Sequence, residues 1–92
     1  MSVVIIGGNE CMKRRYADTC SRHGCRAKVF CKPSTDINKR IGNPDLLILF
    51  THTISHKLVQ SAMTKVSPNT KVVRSHTSSL ASLQSILEES TV

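Results

Sequence analysis

Hydrophobic positions fall along the chain in four blocks, and each block begins with an apolar run too short for a helix. Val3-Val4-Ile5-Ile6 is a continuous β-branched run closed by Gly7-Gly8. Such a run predicts a strand covered on both faces, as in a parallel sheet. Residues 11 to 23 follow with Met12, Tyr16, Cys20 and His23 on one helical stripe. Gly24 supplies a left-handed stop, and His23 sits favourably in the last turn. Residues 25–32 alternate: Cys25, Ala27, Val29 and Cys31 point one way, Arg26, Lys28, Phe30 and Lys32 the other. One largely charged face predicts an edge strand.

Pro33 ends that strand, and Thr35 or Asp36 can cap a short helix through Ile37 and Ile41 to Gly42. Asn43-Pro44-Asp45 is a turn. Leu46-Leu47-Ile48-Leu49-Phe50 is the most apolar strand and is expected at the sheet centre. Residues 55–67 predict a helix with Leu58, Val59, Ala62, Met63 and Val66 on one face. Lys71-Val72-Val73-Arg74 is the fourth strand. Ser78 or Ser79 then caps a helix with Leu80, Leu83, Ile86 and Leu87 inward.

Strands alternating with helices predict an α/β class domain with a four-stranded parallel sheet. Short right-handed crossovers favour the flavodoxin/Rossmann-like order 2-1-3-4 with helices on both faces. The 92 residues suit a single domain, 1–92. Strand 4 is then an open edge where a second copy could dock, so a homodimer is expected.

In open α/β sheets a ligand sits beyond the carboxyl ends of the strands, at the switch in strand order. Three loops meet there: Gly7-Gly8-Asn9, the run Thr51 to His56, and the run Arg74 to Ser79. The helix starts after Ser55 and Ser79 have no acid in their first turns, so their N–H groups and positive ends suit an anion. Arg74 adds a bidentate donor for phosphate or carboxylate. Candidate ligand residues are Gly7, Gly8, Asn9, Thr51, Ser55, His56, Arg74, Ser75, Ser78 and Ser79. Gly7-Gly8-Asn9-Glu10 is not a dinucleotide fingerprint. Ser55, Ser78 and Ser79 also read as plain N-caps, a role that leaves ligand contact open.

Three histidines, His52, His56 and His76, fall on these loops. Neutral imidazoles there could ligate a transition metal or haem iron, with Cys11 as a further candidate. Protonated, they could face an anion. No carboxylate is placed to orient a histidine, which argues against a Ser-His-Asp hydrolase and leans the reading away from an enzyme.

Composition modifies this picture modestly. The net charge is +7, and residues 1–40 carry nine Lys or Arg against three acids, a local charge of +6. A basic half invites an anionic partner, nucleic acid included. With one Tyr, two Phe and no Trp, a base-stacking platform is hard to build. Cys11, Cys20, Cys25 and Cys31 form no C-x-x-C pair, so a zinc ribbon is unsupported and reduced thiols are expected. No apolar run is long enough to span a membrane, and the opening residues lack a signal-peptide pattern, so a cytoplasmic protein is expected.

These residues also resemble a known family. Val3 to Gly8, Tyr16, His23-Gly24-Cys25, Pro44 to Ile48, Ser55-His56, Val72 to Ser75 and Ser78-Ser79 look like a family of small bacterial proteins catalogued as a domain of unknown function. The resemblance covers nearly the whole chain. It implies a compact α/β fold, a bacterial cytoplasmic setting, and site positions at Gly7, Gly8, Ser55, His56, Arg74 and Ser75. Haem binding by some relatives is the one cofactor suggestion it adds. His52 and His76 lie outside the shared pattern.

Overall fold

The computed structural model describes residues 1–31, 42–52, 54, 57, 60, 63 and 68–91. Its elements are β1 (Ser2–Ile6), a 3-10 turn (Glu10–Met12), α1 (Lys13–Arg22), β2 (Arg26–Phe30), β3 (Leu46–Phe50), β4 (Lys71–Ser75) and α2 (Leu80–Thr91). The four strands form one parallel sheet in the order β2-β1-β3-β4, the order expected from the sequence. The apolar strands β1 and β3 take the centre. The two strands with charged positions, β2 and β4, take the edges.

Alternation along the strands divides the interior in two. Val3, Ile5, Val29, Leu46, Ile48 and Phe50 share one face with Tyr16 and Cys20 of α1 and Leu83 and Leu87 of α2. Val4, Ile6, Leu47 and Leu49 form the opposite face, with Phe30, Ile54 and Val72 against them. All five β3 side chains are buried, which explains a run with no polar position: each fully buried side chain of this size contributes roughly 1.5–3 kcal/mol. Both described helices lie on the first face. The short helix expected over Thr35 to Ile41 lies outside the described residues. Of the helix expected over 55–67, Lys57, Gln60 and Met63 are described, and each is helical.

Boundaries shift for local reasons. The helix expected from residue 11 begins at Lys13, because the Asn9 side chain accepts the Cys11 N–H and winds Glu10–Met12 into a tighter 3-10 turn. Helix α1 stops where Gly24 takes φ 72°. The Gly24 N–H donates to the Ser21 carbonyl, and the Cys25 N–H joins the His23 N–H on the Cys20 carbonyl, so the last carbonyls of the helix are satisfied. The second strand is shorter than its alternating run, Arg26–Phe30 rather than 25–32. All four cysteines are free thiols. Among the described residues, no helix is long and apolar enough to cross a membrane.

Candidate functional site

The loops after β1, β3 and β4 leave the same end of the sheet, but they diverge. The chain after β1 turns onto the face of α1. Ile54, four residues beyond the end of β3, packs on the opposite face. The order of strands switches between β1 and β3, the place where open α/β sheets take their ligands.

Tyr16 organises the loops on one side of this switch. The turn after β1 places it one helical turn beyond Met12, and its ring is fully buried. Its hydroxyl donates to the Ser78 carbonyl at 2.6 Å and accepts the Asn9 N–H at 3.2 Å. One phenol thus joins the β1 loop to the segment that leads into α2. The ring packs against Phe50, with centroids 5.5 Å apart. Gly8 lies over both rings: a Cβ there would come within 2.8 Å of Tyr16 Cε2 and 3.1 Å of Phe50 Cδ2. Gly7 and Gly8 both have positive φ, 97° and 89°, and the Gly7 N–H donates to the Phe30 carbonyl at 2.8 Å. The glycine pair therefore serves a close approach as well as a turn.

The hydroxyls after β4 are ordered among themselves. The Ser75 hydroxyl donates to the Thr77 carbonyl at 2.8 Å, and the Thr77 and Ser82 hydroxyls are hydrogen-bonded. Ser79, rather than Ser78, caps α2: its Oγ accepts the Ser82 N–H and its carbonyl accepts the Leu83 N–H. The first turn of α2 has no acidic residue. Thr51 joins the β3 and β4 loops. Its N–H donates to the Ser75 carbonyl at 2.9 Å, and its Oγ1 lies 3.4 Å from His76 Nδ1.

Gly7, Gly8, Asn9, Thr51, Ser75, Ser78 and Ser79 are thus brought together. Arg74 is not part of that group. It pairs with Leu49 in register, so its side chain leaves the sheet on the face opposite α1 and α2. There Nη2 lies 2.8 Å from Met63 Sδ. Ser55 and His56 lie outside the described residues. His52 and His76 are both exposed, and among the described residues no three His, Cys, Asp or Glu side chains are grouped to hold a metal ion. The haem or metal reading pairs His56 with His52, His76 or Cys11, and His56 lies outside the described residues.

The hydroxyl of Tyr16 is the feature that sequence reasoning passed over. Its signal was available: a sole tyrosine on an inward stripe must find a partner for its O–H. Tyr16 and Phe50 are fully buried, and Phe30 packs partly against the second face of the core. Among the thiols, burial pushes Cys20 up to about 11, with Cys25 adding to the effect. Burial also raises Cys31, opposed by Lys13 and reinforced by Glu10.

The fold defines a small α/β domain with a four-stranded parallel sheet in the order 2-1-3-4. The chain belongs to the family described as an uncharacterized protein conserved in bacteria (DUF2325), whose model matches residues 2–90. No curated protein and no solved structure matches the chain.

Proposed function

We propose that this protein is a bacterial cytoplasmic binding module for a small anionic ligand bearing phosphate or carboxylate, held at the carboxyl ends of the strands. One observation carries the reading. The Tyr16 hydroxyl holds the Asn9 N–H and the Ser78 carbonyl together, so the glycine loop and the start of α2 are set side by side before any ligand arrives. Ordering cost on binding is correspondingly small. Ser79 caps the Ser82 N–H at an acid-free helix start, whose positive end suits an anion. His76 and Thr51 stand beside it. Ser55 and His56 enter the reading from the sequence alone, and Arg74, which leaves the sheet on the opposite face, is left out of it. Free thiols suit a reducing compartment. A homodimer paired along the open β4 edge accords with that strand's place in the sheet.

The test is an amide NMR titration with inorganic phosphate, beside native mass spectrometry of protein purified from its bacterial host. Shifts confined to Gly7–Asn9, Thr51 and residues 76–81, with a co-purified anion lost in the Thr51→Ala, His76→Ala double variant, are the expected result. Shifts confined to Lys13, Arg14 and Lys28, or an anion retained by the double variant, would place binding elsewhere.

A further inference from the structure

A second surface lies away from these loops, along the outer edge of β2. Its hydrogen-bond phase follows from the two ends of the β1–β2 ladder. The Arg26 N–H donates to the Met1 carbonyl at 2.9 Å, and the Gly7 N–H donates to the Phe30 carbonyl at 2.8 Å. In a parallel pair the bonded residues of one strand alternate, so Arg26, Lys28 and Phe30 turn their backbone groups toward β1. Ala27 and Val29 therefore turn N–H and C=O outward. Among the described residues no strand pairs with that edge.

Two cavities follow the same edge. One, of about 430 Å³, is floored by Ala17, Ala27 and Val29 and rimmed by Lys13 and Arg14, with Glu10 as its acid. The other, of about 360 Å³, is lined by Lys13, Lys28, Val29 and Phe30. They share Lys13 and Val29. Val29 faces α1 while Phe30 faces the other side of the sheet, so the second cavity crosses over the strand itself. The edge thus offers alternating donors and acceptors, an apolar floor and a basic rim.

We infer that the β2 edge binds an acidic extended peptide segment, which adds to the sheet as a fifth strand. The outward N–H and C=O groups of Ala27 and Val29 match a peptide backbone, which presents acceptors and donors in the same alternation. The Lys13, Arg14 and Lys28 rim attracts carboxylates and steers their approach. The same charges count against a second copy of this chain at this edge, because Lys13, Arg14, Arg26 and Lys28 of both copies would be brought together. Lysines on an edge strand that repel self-association leave the edge selective for the opposite charge. This surface does not depend on the strand-end loops.

The test uses the full chain, ¹⁵N-labelled, and an end-capped peptide of alternating Glu and Val. Its Lys-Val counterpart and an oligouridylate of matched negative charge serve as comparisons. Binding of the Glu-Val peptide with shifts at the Ala27 and Val29 amides is expected. Ala27→Pro removes an outward N–H and no bond to β1, as an edge strand tolerates. It should weaken binding about fivefold, the worth of one net hydrogen bond, without moving the urea midpoint. Lys13→Glu with Arg14→Glu, at exposed positions on α1, should weaken binding about tenfold, as expected for two lost charge contacts. N-methylating alternate amides of the peptide should abolish binding in one of the two registers and needs no change to the protein. Absence of binding, binding indifferent to N-methylation in both registers and to the charge reversals, or tighter binding of the oligouridylate would overturn the proposal.

Discussion

The Tyr16 hydroxyl donates to the Ser78 carbonyl at 2.6 Å across 62 residues of chain, and the same oxygen accepts the Asn9 N–H. Helix α1, the glycine loop and the entry to α2 therefore share one hydrogen-bonding atom. Tyr16→Phe keeps the ring against Phe50 but leaves two backbone groups without their partner. The expected loss is roughly 1–3 kcal/mol, the usual cost of stranding part-buried polar groups. Urea unfolding should show a lower midpoint at unchanged slope, and amide exchange at Asn9 should accelerate.

Gly8→Ala tests the close approach over the same rings. The added Cβ meets Tyr16 Cε2 at 2.8 Å, and the backbone stays at φ 89°. A left-handed conformation costs an ordinary residue roughly 1–2 kcal/mol, and overpacking commonly adds about 1–3. Thermal unfolding should therefore show a destabilisation of roughly 2–5 kcal/mol. Gly24→Ala serves as the control: its φ is also positive, but nothing lies within 4 Å of the added carbon, so only the conformational part should appear.

Ser79→Ala removes the cap of α2 and its bond to the Ser82 N–H. A loss of about 1 kcal/mol is expected. Ser78→Ala should be near neutral in stability, because Ser78 contributes its backbone carbonyl to Tyr16. Denaturant midpoints of the two variants distinguish the serines.

Stability should also fall in alkali. Cys20 is raised from 9.0 to about 11 by burial. Between those values the unfolded chain releases its proton while the folded chain retains it, so the unfolded state is favoured as pH rises. The contribution is fully present below about pH 9 and is lost as pH rises toward 11. Cys31 shifts in the same direction. Urea midpoints measured across this range should decline, and Cys20→Ala should flatten the decline. At neutral pH, iodoacetamide should modify the exposed Cys11 well before the buried Cys20.

Much of this molecule was legible in its residues. Strand order followed from four strand–helix blocks and the handedness of crossovers. The edge character of β2 followed from Arg26 and Lys28, and the centrality of β3 from five consecutive apolar residues. The gathering of Gly7, Gly8, Thr51, Ser75 and Ser79 at one end followed because a parallel sheet sends every strand's carboxyl end the same way. These are consequences of local propensity and periodicity, which act over a few residues and are written directly into the sequence.

Three features were decided only in the folded chain. Arg74 and Ser75 are neighbours in sequence but leave the sheet on opposite faces. Which face each takes depends on the register that pairs them with Leu49 and Phe50. The Tyr16 stripe was readable, but its hydroxyl's partners were not, because a hydrogen bond is set by the final distance between groups from remote segments. The binding edge of β2 depends on ladder phase: Ala27 and Val29 turn outward because Arg26 and Phe30 are the residues bonded toward β1. Sequence by itself determined which elements form and in what order they stack. Tertiary packing decided which atoms face one another, because register, face and phase exist only between segments.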